Sequence, residues 1–249
     1  MNRGNKHLPY LKLLTTLSVV FLALSIYFHS TDNFTAHRAL RGLCTFAFLV
    51  VLLAYQKGRV DRKAALFLIL YGGSSFASIW FENTSLSLAV ILLNISAFSI
   101  VIWGLFPRIN FKKISTPFAI FFLILVLVNT YLVFTLAEMT KVFAKDGLHY
   151  ILVLGHTLFA VIMGFSALLY NHVYSSRTSL IFTFFVFAII FAEVFRAIAY
   201  YEFAYGDYAV YVARLLFIVA CYLLIYHQLK ERNPSEVFVY TKSNKTDKT

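Results

Sequence analysis

Residues 178–201, TSLIFTFFVFAIIFAEVFRAIAYY, decide the fold of this chain. Apart from Glu193 and Arg196 the stretch is apolar, aromatic or only weakly polar. It is also long enough to cross a bilayer, which takes about 17–25 mostly apolar residues. A charge in hydrocarbon costs roughly 2.5 kcal/mol or more even on lenient insertion scales, so ionisable residues there turn to a partner or a cavity. Spacing i, i+3 sets Glu193 and Arg196 on one helix face, within mutual reach. The pair is either structural glue or part of a working site inside the membrane.

The rest of the chain has the same character. Of its 249 residues 60% are hydrophobic, 18% aromatic and only 13% charged, and the mean hydropathy is +0.76. A soluble domain carries about 25% charged residues, so this composition belongs to a polytopic membrane protein. The formal net charge is +11. Its Lys and Arg lie almost wholly between apolar runs, where they set topology, which argues against nucleic-acid binding. Cys44 and Cys221 fall within apolar runs without metal-ligand spacing and read as small buried hydrophobes. No motif requires a metal ion or a cofactor.

Eight runs have spanning length: 11–28, 39–55, 64–81, 86–106, 117–137, 148–170, 178–201 and 208–227. The expected fold is therefore all-α, an eight-helix transmembrane domain over 1–229. A polar cytoplasmic tail, 230–249, follows and is expected to be disordered beyond Pro234. The linkers are too short for a soluble domain. The first run follows Arg3, Lys6 and Lys12 as the core of a leader would, but its length and the lack of a small-x-small site after Phe28 mark it as a span.

Charge placement sets the orientation. Arg3, Lys6 and Lys12 share a side with Lys57, Arg59, Arg62, Lys63, Arg108, Lys112, Lys113, Arg177 and the tail from Lys230. The opposite side carries Arg38, Arg41, Lys141 and Lys145 against Asp32, Glu82, Glu138, Asp146, Glu202 and Asp207. The positive-inside rule puts both termini in the cytoplasm, and an even number of spans requires the same.

Several polar residues fall within the spans. Glu193 lies about 12 Å from the outer end of its span at 1.5 Å per residue. Counting back from the turn at Phe203–Tyr205 brings Arg214 to nearly the depth of Arg196. The expected cluster is thus Glu193 with Arg196 and Arg214 around it, and one further acceptor for the surplus base. His156 lies in the outer half of the sixth span, with one of these charges or a backbone carbonyl as partner. Arg38 and Arg41, at i, i+3, are expected to snorkel to the outer interface. Gly72-Gly73-Ser74-Ser75 is expected to let two helices approach closely, and Asn94 and Asn129 to bond between helices. Tyr200, Tyr201, Tyr205, Tyr208 and Tyr211 read as an interfacial aromatic belt. The sequons at Asn33, Asn83, Asn94 and Asn244 carry little weight, since the pattern is common by chance.

HExxH, a phosphate loop and a GxSxG elbow are absent; Gly164-Phe-Ser166-Ala-Leu lacks the second Gly. The eight-span layout nevertheless resembles the YhhN-type lysoplasmalogenase family. The matching segments are HRALRGL from His37, LYGGSSF from Leu70, FAIIFAEVF from Phe187 and YLLIYHQL from Tyr222. The family's span-seven Asp falls at Glu193, while its span-three Asp falls at Gly73 or Ser74. The resemblance implies hydrolysis of the vinyl-ether bond of a lysophospholipid-type ligand by acid–base chemistry. Glu193 and His156 are then the catalytic candidates. Arg196, Arg214 and Arg41 are the ligand-binding candidates, since guanidinium matches phosphate oxygens bidentately. With one family carboxylate absent, either His156 or another group replaces it, or the chain binds lipid without hydrolysing it.

Two other readings stand beside that one. The same charges can serve a sensor or transporter-like protein as a relay or conformational lock, or they can fix helix register in a structural membrane protein. Basic cytoplasmic loops and compact spans suit a bacterial inner membrane.

Overall fold

The structure is a computed structural model that describes residues 8–56, 61–109, 114–141, 146–200 and 206–231. The turn at Phe203–Tyr205, Arg3, Lys6, Lys57, Arg59, Lys112, Lys113, Lys145, Tyr201, Glu202, Asn244 and the tail beyond Glu231 lie outside the described residues. Eight α-helices follow one another: α1 (Leu8–Ser30), α2 (Phe34–Gln56), α3 (Arg62–Ala77), α4 (Thr84–Leu105), α5 (Thr116–Thr140), α6 (Gly147–Tyr174), α7 (Arg177–Tyr200) and α8 (Gly206–Glu231). Each matches one expected run and extends past it by a few residues at one or both ends, with the exception of α3. There α-helix stops at Ala77 and a single 3-10 turn, Ser78–Trp80, completes the run.

Seven of these helices are long and apolar enough to cross a membrane, as a multi-pass membrane protein requires. Among the described residues the remaining helix, α5, contributes the apolar segment Thr116–Tyr131, within 25 helical residues. In hydrocarbon every backbone polar group must be satisfied within the segment, so unbroken apolar runs have helix as their one open-ended solution. Hydroxyls along the runs obey the same demand. Thr15, Ser18, Ser96, Ser99, Thr130 and Thr157 each donate to the carbonyl four residues back, which removes the cost of carrying them. Helix starts are set by side chains that accept from the first turn: Asp61 from Lys63 N, Asn83 from Leu86 N and Asp146 from His149 N.

Consecutive helices alternate in direction, so the bundle has two chemically distinct ends. At one, the Glu82 end, α1, α3 and α7 finish and α2, α4, α6 and α8 begin. Its cross-helix contacts include Arg38 on Glu82 and the rings of Phe81 and Tyr200. The Asp61 end is marked by Gln228 on Asp61 and by the Tyr10–Tyr55 and Phe118–His172 ring pairs. α7 packs most closely on α8, α3 packs between α2 and α4, and α6 joins α4 to α7. α1 rests on α2 and α8, and α5 rests on α6. Large apolar side chains such as Val50, Leu127 and Phe184 point outward, the pattern of a surface that meets lipid.

Small residues set two of the close approaches. A methyl group on Gly72 would lie 3.1 Å from Phe46 and 3.3 Å from Thr45, so α2 and α3 do approach closely there. Gly73 does not share that role, for the nearest atom is Leu93 at 4.0 Å. The tighter approach is at Gly42, where a methyl group would collide with the Phe76 ring. Ser74 spans two helices by donating to the Val90 carbonyl at 3.2 Å. Asn129, expected to bond between helices, donates instead to the Leu125 carbonyl of its own helix at 2.8 Å; α5 packs on α6. Cys44 and Cys221 are free and buried, as small hydrophobes are.

Candidate functional site

Glu193 lies on the face of α7 that turns into the bundle and is 6% exposed. Among the described residues it is the one buried carboxylate. Three donors converge on it. Arg196, one turn along the same helix, donates to Oε2. Arg41 of α2 and the phenol of Tyr71 of α3 both donate to Oε1. Arg41 also donates to the Tyr71 oxygen at 2.5 Å. Thus one carboxylate ties together α2, α3 and α7.

Aromatic side chains hold this cluster in place. The Arg41 guanidinium sits 5.2 Å from the Tyr71 ring centroid and 5.1 Å from that of Phe217, within reach of cation–π attraction. Tyr71 stacks on Phe67 at 5.4 Å, and Phe67 meets Phe185 edge-on at 5.4 Å. His156 of α6 stacks on Phe98 at 5.2 Å, and Phe98 in turn stacks on Tyr71 at 6.4 Å. The His156 Nε2 is buried and has no hydrogen-bond partner among the described residues.

The expected pairing of Glu193 with Arg214 is not what forms. Arg214 of α8 donates from Nη2 to the backbone carbonyl of His37 at 2.7 Å. Its Nη1 is buried and has no hydrogen-bond partner among the described residues. The residue is 7% exposed. The second base on Glu193 is instead Arg41, which does not snorkel: it is 8% exposed. Arg38, its neighbour one turn earlier, does reach the end of the bundle and pairs with Glu82 at 2.6 Å. Depth along a helix follows from counting residues, whereas the direction a side chain faces depends on how its helix is rotated against its neighbours.

Further polar links run toward α1. His37 Nδ1 lies 3.0 Å from the Ser25 carbonyl and 3.3 Å from its hydroxyl. His29 Nε2 lies 3.4 Å from Asp207, whose side chain is 87% exposed. The His29 and His37 rings are 5.3 Å apart, and Tyr211 packs edge-on against His29 at 5.0 Å. Tyr71 and His37 were not singled out from sequence. The available signal for Tyr71 was a tyrosine near mid-span, because a buried phenol needs a partner.

A small cleft opens at the opposite, Asp61, end between α3, α4, α6, α7 and α8. Its polar lining includes Asp61, Lys63, His227 and Gln228, and Phe67 and Phe185 contribute apolar wall. The cavity is about 50 Å³, room for about three or four waters and far short of a lipid. Phe67 lines this cleft and also stacks on Tyr71, so an aromatic layer stands between it and the ion cluster. Among the described residues no group of three or more His, Cys, Asp or Glu side chains could hold a metal ion.

Comparison with known proteins finds no family model, no curated protein and no solved structure that matches this chain.

Proposed function

We propose that this chain is an eight-span membrane protein with cytoplasmic termini, in which the Glu193 cluster is a conformational lock of a sensor or transporter-like protein. The reading rests on one observation: both oxygens of Glu193 are already taken, by Arg41 and Tyr71 on one and Arg196 on the other. A general acid or base has to exchange a proton with its substrate, and a carboxylate held by two guanidinium groups takes up a proton reluctantly. A carboxylate shared by three helices instead holds one arrangement of them until something competes for its arginines. The orientation is supported by the basic residues at the Asp61 end, Arg62, Lys63, Arg108 and Arg177 among them, which suit the cytoplasmic face of a bacterial inner membrane.

The test uses the two native thiols. Cys44 and Cys221 are each 1% exposed, so maleimide labelling of the protein in detergent is slow while the helices stay locked. Glu193→Gln is expected to accelerate that labelling and to leave hydrolysis of lysophospholipid-type substrates at the background of a no-protein control. Vinyl-ether hydrolysis by the wild-type protein that Glu193→Gln abolishes would overturn the lock. Activity of a reporter fused to the C-terminus in the non-cytoplasmic compartment would overturn the orientation.

One observation favours a second reading, the lipid hydrolase of the family resemblance. His156 carries a buried Nε2 with no hydrogen-bond partner among the described residues, and its ring is steadied by Phe98. An imidazole so held can accept or return a proton. On this reading His156, not Glu193, does the acid–base work, and His156→Gln abolishes turnover of a lysophospholipid-type ligand in a chain that still folds.

A further inference from the structure

We propose that Arg214 and Arg41 form the seat of an anionic ligand of the phosphate class, at the Glu82 end of the bundle where α2 meets α8 under α1. The argument begins with charge. Among the described residues the buried charged side chains are Arg41, Arg214 and Glu193, and half-buried Arg196 adds a third base. Both oxygens of Glu193 accept from the protein, from Arg41 and Tyr71 on one and Arg196 on the other. Among the described residues Arg214 donates only to the neutral carbonyl of His37.

Two guanidinium donors remain without an acceptor among the described residues, Nη1 of Arg214 and Nε of Arg41. They belong to neighbouring helices that interlock here: Arg214 donates to the carbonyl of His37, one turn before Arg41, and the Arg41 guanidinium lies 5.1 Å from the ring of Phe217, one turn after Arg214. Water could satisfy these donors, but it brings no charge to offset theirs in a low-dielectric setting. An oxyanion supplies both, and phosphate oxygens match the fork of a guanidinium bidentately. The seat uses donors that the Glu193 lock leaves over, so it does not depend on that reading. Its ligand can be the head group of a phospholipid or free phosphate; the chemistry at the guanidinium groups is the same.

The experiment uses the full chain purified in a neutral maltoside detergent. Sodium phosphate, a lysophosphatidic acid and a monoacylglycerol of the same chain length are titrated, and binding is read by calorimetry and by the unfolding temperature. Binding of lysophosphatidic acid but not of the monoacylglycerol is expected, with affinity weakened about tenfold or more in Arg214→Gln. Arg214→Lys keeps the charge without the fork and should fall between the two, which guards against a variant that merely fails to fold. If phosphate alone also binds, the source is the free anion; if only the lysolipid binds, it is the head group. Equal binding of the monoacylglycerol, unchanged affinity in both Arg214 variants, or no binding of any probe would each overturn the seat.

Discussion

Arg41 and Glu193 lie 152 positions apart in sequence and share a buried ion pair. That pair brings the start of α2 to the last third of α7, and Tyr71 of α3 closes the triangle by donating to the same oxygen. Buried pairs of this kind gain little net energy over well-packed apolar groups, but breaking one leaves an uncompensated charge in the interior. The cluster therefore selects one arrangement of helices more than it adds stability to it.

Glu193→Gln should lower stability by about 3–5 kcal/mol, the usual penalty for removing one partner of a buried pair. Denaturant unfolding in detergent measures it. The double variant Arg41→Gln/Glu193→Gln should lose less than the sum of the single losses, by about 0.5–3 kcal/mol. Additive losses would show that the two side chains do not interact.

Tyr71→Phe removes one oxygen and leaves the stack on Phe67 intact. The expected cost is about 1.5–3 kcal/mol, as for a hydrogen bond to a charged group. A variant as stable as the wild type would mean that the phenol gives Glu193 no support.

The peripheral polar contacts should matter far less. Glu82 and Asp207 have side chains that are mostly exposed. Glu82→Gln and Asp207→Asn should each cost less than about 1 kcal/mol, and the Glu82 loss should shrink further at high salt, because its partner is the Arg38 guanidinium. Unfolding temperatures at low and high ionic strength check both.

Gly42→Ala should destabilise by about 1–3 kcal/mol, since its methyl group would collide with the Phe76 ring. Phe76→Leu in the same chain should restore part of the loss. Gly73→Ala, with 4.0 Å to its nearest neighbour, should be neutral or gain up to about 1 kcal/mol from helix propensity. Thermal unfolding of the two glycine variants side by side gives the comparison.

The segmentation of the chain was legible from sequence because a bilayer leaves few choices. Apolar runs of spanning length, separated by short polar loops, must form helices when every backbone group has to be satisfied within its own segment. All eight helices appear where their runs lie, and the Glu193–Arg196 contact follows from i, i+3 spacing alone. The partner of that pair was a different matter. Counting residues places Arg214 at the depth of Arg196, yet depth is one coordinate of three.

Which guanidinium meets Glu193 is decided by how α2, α3, α7 and α8 are rotated and ordered around one another. Those angles come from side-chain packing: Gly42 against Phe76, Gly72 against Phe46 and Thr45, and Tyr71 between Phe67 and Phe98. The sequence alone determined that TSLIFTFFVFAIIFAEVFRAIAYY is a helix long enough to cross a membrane, with an acid and a base on one face. Only the tertiary structure decided that the second base is Arg41 rather than Arg214, because hydrophobic periodicity carries no record of which helix lies next to which.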